Sequence, residues 1–172
     1  MRRLLGAVVV VGLLTAGCGS QRSEVSTPPA VADASRVDMC AVLTDAELTG
    51  LGIKLGTRKR VNELGVVGCQ WVGKLITLRL ERDKDPLAEY QARRDDPAFT
   101  SFSENRVNGR AGIQLSVERG RTDCAQLMDG GSVSLTVAVA PAFSPDRPKI
   151  DSCAEALRIA QMIEPRLPKG GI

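Results

Sequence analysis

The sequence predicts an α+β domain: a mostly antiparallel sheet of five to seven strands, packed on N- and C-terminal helices and tied by two disulfides. Three observations carry this. Helix-start signatures stand far apart in the chain, Thr44-Asp45-Ala46-Glu47 and Ser152-Cys153-Ala154-Glu155, each with a hydroxyl residue three positions before a glutamate. Between them, runs that alternate apolar and polar residues are separated by spacers too short for the crossovers a parallel sheet needs. Four cysteines lie beyond residue 36, an even number.

The N-terminus is organised differently. Met1, Arg2 and Arg3 precede an uncharged apolar run over residues 4–14, LLGAVVVVGLL. That run is shorter than the roughly 20 residues that span a bilayer and has the form of a signal-peptide core. Leu14-Thr15-Ala16-Gly17-Cys18 follows. Small residues at Ala16 and Gly17 suit a signal peptidase, and Cys18 directly after a cut at Gly17 places a thiol where bacterial lipoproteins receive diacylglycerol. Thr15 stands where leucine is commonest in a lipobox. Residues 1–17 are therefore expected as a lipoprotein signal peptide. Residues 18–36, rich in Ser, Thr, Pro and Ala with no aromatic residue, are expected as the lipidated cysteine and a disordered tether.

Residues 37–168 are expected as a single extracytoplasmic domain, roughly 130 residues and enough for one core. Thr44 caps a first helix, Leu43 and Leu48 form its hydrophobic staple, and Gly50 and Gly52 end it. Val67, Cys69 and Trp71 alternate with Gly68 and Gln70; after Gly73-Lys74, Ile76, Leu78 and Leu80 alternate with Thr77, Arg79 and Glu81. This is a hairpin with one wet face. Asp85-Pro86 places a cap and a proline at N1 of a short helix through about Arg93, stopped at Asp95-Asp96-Pro97. Asn108-Gly109 is a two-residue turn between a strand at 102–107 and one at 110–118, where Ile113, Leu115 and Val117 share a face. Asp129-Gly130-Gly131 turns 124–128 into 132–140, and 141–148 is a loop. Ser152 opens the last helix, with Ala156, Leu157, Ala160 and Ile163 as its buried stripe and Pro165 as its stop. The tail from Leu167 is expected to fray, with residues 169–172 outside the domain.

Composition excludes more than it proposes. The formal charge of +3 includes Arg2 and Arg3, so the processed chain is near neutral and offers no basic face for nucleic acid. Histidine is absent, which removes Ser-His-Asp, Cys-His and His-metal chemistry. There is no G-x-S-x-G, S-x-x-K or phosphate-binding glycine loop. Asp95 and Asp96 imitate a glycosidase couple but read more simply as a loop. Asp83 and Asp85 lack the further oxygens that calcium needs. No cofactor and no metal is expected.

Of five cysteines, Cys18 is assigned to lipid, leaving Cys40, Cys69, Cys124 and Cys153. Three pairings are possible. The favoured one is Cys40–Cys69 with Cys124–Cys153, because each then links a helix start to a strand. Each closes a loop of about 30 residues, contributing about 3–4 kcal/mol on the chain-entropy model. Trp71, the sole tryptophan, is either a ligand platform or a core residue packed near a disulfide, and the second is favoured. Arg58-Lys59-Arg60 is expected as a solvated loop in preference to a contact for anionic lipid. Arg93, Arg94, Arg119 and Arg121 are discounted likewise.

Several of these residues form an ordered set. Cys40 precedes Leu43-Thr44-Asp45-Ala46-Glu47-Leu48 and Gly52; then come Cys69-Gln70-Trp71, the Gly109-Arg110-Ala111-Gly112 turn, Cys124 before a strand and Cys153 in the last helix. With the lipobox in front, this set resembles a family of actinobacterial lipoproteins, a domain of unknown function among mycobacterial Lpr-type proteins. The resemblance implies a lipid-anchored domain on the extracytoplasmic face of the cell membrane. It supplies no catalytic residue.

The functional expectation is a non-enzymatic binding or protein-interaction domain of the cell envelope. With few aromatic residues, the core must be built from Val, Leu, Ile and Ala, leaving room for a groove that takes a small apolar ligand, an acyl chain or a peptide. The alternatives are a carboxylate-dependent envelope hydrolase and an accessory subunit of a transport or secretion complex.

Overall fold

The structure is a computed structural model that describes residues 33–117, 123–143 and 149–168. The signal peptide, Cys18, most of the tether, Arg119, Arg121, most of the 141–148 loop and the 169–172 tail lie outside the described residues.

Seven strands form one sheet: β1 (Lys59–Glu63), β2 (Val66–Val72), β3 (Ile76–Asp83), β4 (Phe99–Val107), β5 (Arg110–Val117), β6 (Cys124–Asp129) and β7 (Ser134–Pro141). Their order is β1-β2-β3-β7-β6-β5-β4, and every neighbouring pair is antiparallel. The chain thus makes two meanders that meet where β3 pairs with β7. Helices α1 (Asp45–Gly50) and α3 (Ser152–Ile163) contribute to the main core on one face, and α2 (Leu87–Ala92) lies on the other. The α+β class, the antiparallel sheet and the two disulfides all agree with the sequence.

The sheet changes its apolar face within the second meander, between β7 and β5. In β2, β3 and β7, Cys69, Trp71, Leu78, Leu80, Val137 and Val139 enter the main core beneath α1 and α3. In β5 the apolar set is Ile113, Leu115 and Val117, and these turn to the α2 side. The registers Leu80↔Val137, Gln126↔Val137 and Gln114↔Gln126 carry this parity across the sheet, because side chains of paired residues share a face. Strand β6 is buried on both faces where the two cores overlap. The one-wet-face reading holds only in part for the β2–β3 hairpin, where Glu81 on the expected wet face is buried, and fails for the sheet as a whole.

Local signals mostly work as expected at α1. The Thr44 hydroxyl accepts from the Glu47 N–H (3.3 Å) while the Glu47 carboxylate accepts from the Thr44 N–H (2.9 Å). Leu43 and Leu48 are both buried. At α3 the cap moves one residue: Asp151, not Ser152, accepts from the Cys153 and Ala154 N–H groups (3.1 and 2.9 Å), so the second capping box does not form. A carboxylate there outcompetes a hydroxyl because its acceptor bonds are charge-assisted. The buried stripe of α3 is Ala156, Ile159, Ala160 and Ile163, with Leu157 only partly buried.

Three corrections concern segments expected to be loose. Lys59 and Arg60 begin edge strand β1 in place of a loop, and Arg58 lies 5.6 Å from the Trp71 ring centroid with its guanidinium near Asp45. The tether expected to reach Arg36 gives way earlier: the Ala34 N–H donates to the Gly130 carbonyl (2.8 Å) and Ala34 is fully buried beside the β6–β7 turn. At the other end Leu167 is buried and the Pro168 carbonyl accepts from Arg110 (2.6 Å). Arg110 also donates to Glu164 (3.0 Å) and the Asp129 carbonyl (2.8 Å), strapping the β4–β5 turn to the end of α3. Gly109-Arg110-Ala111-Gly112 is therefore mostly strand; the turn itself is Asn108-Gly109, both at positive φ.

Both disulfides join a helical segment to the sheet. Cys40–Cys69 ties the approach to α1 onto β2, and Cys124–Cys153 ties the first turn of α3 onto β6, each with Cα atoms 5.1 Å apart and a sequence separation of 29. Replacing Cys124 and Cys153 together by alanine is expected to cost about 3–4 kcal/mol in denaturant unfolding, the closure entropy of such a loop. At the β1–β2 turn, Leu64 is 95% exposed at φ 54°, followed by Gly65 at φ 91°. A leucine side chain disfavours that backbone. Leu64→Asn is expected to raise stability by roughly 1 kcal/mol, read as a higher denaturation midpoint at unchanged slope.

Candidate functional site

On the α2 face, where the apolar half of the sheet meets the polar half, lies a partly open cavity of ≈ 200 Å³. Its floor owes its depth to two small residues. Ala125 of β6 and Ala138 of β7 pair directly across the ladder, and neither has a side chain beyond Cβ to fill the space above it. Leu115 and Leu127 complete the apolar floor, and Phe99 stands on the β4 side.

The opposite wall is polar. Glu81, Asp83 and Tyr90 line it, with Thr136 paired to Glu81 across β3–β7. Glu81 and Asp83 are two apart on one strand and so project to the same side. Tyr90 comes from α2, which starts one residue later than the sequence suggested. Pro86 is the N-cap and not N1, and Asp85 caps nothing; its N–H instead donates to Asp83 Oδ1 (3.0 Å). The helix is held by the Tyr90 hydroxyl, which donates to Asp83 Oδ2 (2.6 Å), and by Leu87 in the floor cluster. Burial, then this bond to a carboxylate, pushes the Tyr90 phenol well above its ordinary range, so it stays a donor at any physiological pH.

Glu81 is the least exposed acid described, at 8%. Arg79 Nε donates to its Oε1 (2.7 Å) and the guanidinium forms an ion pair with the same oxygen. Burial nonetheless raises its pKa, against the lowering effect of Arg79. The close packing beneath it comes from Gly68, opposite Glu81 on β2: a Cβ there would sit 2.1 Å from the Leu80 carbonyl oxygen and 2.8 Å from Glu81 Cα. Only glycine lets the two strands meet at that point.

Other residues singled out by sequence fall elsewhere. Trp71 is fully buried in the main core with Cys40 and Cys69, so it is no ligand platform; its Nε1 has no hydrogen-bond partner among the described residues. Asp95 and Asp96 lie in the exposed turn after α2, where Asp96 accepts from the Ala98 N–H (2.9 Å) and the Phe99 N–H (2.9 Å), a stop for the helix outside the cavity. Asp83 and Asp85 are engaged as described above, and among the described residues no cluster of three or more metal-ligating side chains occurs. Arg93 stacks on Tyr90 (4.9 Å) and Arg94 pairs with Glu104 (2.6 Å). Among the described residues no helix is long and apolar enough to cross a membrane.

Sequence reasoning missed Glu81, Asp83 and Tyr90 as a group because Arg79 and Glu81 fit the wet half of an alternating strand. The available signal was the near-continuous apolar run of β6 and β7, Cys124-Ala125-Gln126-Leu127-Met128 and residues 135–140, which marks strands covered on both faces.

A family model described as a protein of unknown function (DUF3558) matches residues 13–166. The chain belongs to the DUF3558 family. The match takes in the whole described DUF3558 fold up to the short turn after α3, both disulfides and every residue lining the cavity. Neither the curated proteins nor the solved structures contain a match to the chain.

The raised pKa of Glu81 has a defined consequence for stability. The folded state binds this proton more tightly than the unfolded chain, so ionisation of Glu81 opposes folding, and that opposition fades as pH falls through the raised pKa towards the ordinary 4.5. Compared with Glu81→Gln, the wild type is expected to gain relative stability between pH 7 and pH 5. Parallel denaturant unfolding of both proteins checks this.

Proposed function

We propose that the protein is a cell-envelope lipoprotein, held on the extracytoplasmic face of the membrane by lipid on Cys18, and that its domain is a non-enzymatic binding domain. Its ligand is a small, partly apolar molecule that enters the cavity on the α2 face.

The anchor reading is supported by the leader and lipobox, and by a family match that begins at Leu13, so that Cys18 falls inside the region shared with the family. The finer kinship to actinobacterial, Lpr-type lipoproteins is part of the same proposal and rests on the ordered cysteine and LTDAEL set. Four cysteines paired in two disulfides suit an oxidising compartment and leave Cys18 for lipid. Two or three acyl chains hold a protein firmly where one holds it marginally.

The binding reading is carried by one observation: a cavity with an apolar floor and convergent polar groups on one wall, the usual composition of a small-molecule site. A binding role fits better than hydrolysis because Glu81 is already paired to Arg79, and Asp83 to Tyr90 and the Asp85 N–H. At ≈ 200 Å³ and partly open, the cavity suits a short apolar body.

Two measurements test this. Cys18→Ser is expected to abolish incorporation of labelled fatty acid and release the protein from the membrane fraction; continued membrane retention of the variant overturns the anchor. Native mass spectrometry of protein extracted from membranes is expected to show a small bound mass on wild type and none on Ala138→Leu, whose side chain fills the cavity. Equal masses on both overturn the cavity as the binding site.

A further inference from the structure

We infer that the α2-face cavity selects a small organic cation: an ammonium or guanidinium head on a short apolar body. This rests on the binding reading above and names the chemistry of its ligand.

The charge of the wall is one-sided. Among the described residues, the ionisable side chains lining the cavity are Glu81, Asp83 and Tyr90, and no lysine or arginine lines it. Glu63 and Asp85 add to the negative potential around Glu81 and Tyr90. Against these four carboxylates stand Arg79, behind Glu81, and Arg93, which faces Asp85 at 3.5 Å. An acidic excess remains, in a site whose apolar floor keeps water away and so strengthens any charge it holds. An anion entering here meets like charge and loses hydration without return.

The second observation is a missing partner. Both Arg79 contacts go to Glu81 Oε1. Oε2 accepts no hydrogen bond among the described residues, although Glu81 lines the cavity and is 8% exposed. A ligand N⁺–H can reach this free acceptor with a charge-assisted bond, while the rest of the ligand covers Ala125 and Ala138. Asp83, with one donor on each oxygen among the described residues, keeps lone pairs for a second N–H of the same head. An alcohol fits the floor but brings no charge.

The test uses hexylammonium, hexan-1-ol and hexanoate as probes, followed through the NMR methyl signals of Ala125 and Ala138 in the full protein. Hexylammonium is expected to shift both signals saturably, at least tenfold tighter than hexan-1-ol, with hexanoate inactive at the same concentration. Glu81→Gln is expected to weaken hexylammonium about tenfold or more, and added sodium chloride to weaken it further. Ala138→Leu, checked as folded by its melting transition, is expected to abolish the effect of every probe on Ala125. If hexan-1-ol or hexanoate binds as tightly as hexylammonium, the cation selectivity is wrong and the cavity reading stands. If none of the three moves either signal in folded wild-type protein, the cavity reading falls, and the inference with it.

Discussion

Two sulfur–sulfur bonds hold the helical layer to one face of the sheet, and the placement of the rest follows from them. Neither α1, at six residues, nor the approach to it could persist alone, since isolated helices of that length are unstable in water. Cys40–Cys69 fastens this segment over β2, and Cys124–Cys153 fastens the start of α3 over β6. Together they contribute about 7 kcal/mol on the chain-entropy model. That is comparable to the whole net stability of a typical domain. Arg110 completes the clamp at the far end of α3 by joining Glu164, Asp129 and Pro168.

With one face closed in this way, the other is free to be irregular. The switch of apolar face between β7 and β5 leaves a boundary on the α2 side, with Leu115, Leu127 and the alanine pair to one side and Glu81 and Asp83 to the other. An amphipathic cavity is the physical result of that boundary. Its cover is a single short helix held by Tyr90 and Leu87 and linked to the sheet by no disulfide. Stability and candidate function are thereby placed on opposite faces of one sheet.

The fold was largely legible in the sequence because its strongest signals are local. The Thr44 capping box, the Asn108-Gly109 turn and the alternation through β2, β3 and β7 each depend on residues a few positions apart. The disulfide pairing followed from pairing each helix start with a strand. What escaped depends on distant neighbours. Strand β1 was hidden because its turn uses Leu64 where asparagine is usual, and its basic residues suggested solvent. The cap of α3 shifted because Asp151 stands one place before an equally plausible serine. Ala34 and Leu167 read as loose chain until the β6–β7 turn and Arg110 supplied their partners. The candidate site was the least legible part, since no spacing rule reveals that Ala125 faces Ala138 or that a wet-looking Glu81 is buried.

The central claim is that the disulfide-bonded face carries the stability and the α2 face is the softer, open one. Segment-resolved hydrogen exchange on the oxidised protein tests it most directly. The account predicts slowest exchange in β3, β6, β7 and α3, faster exchange in α2, and acceleration of α3 and β6 on reduction of the disulfides. Exchange in α2 as slow as in α3, or no change in α3 on reduction, would contradict it.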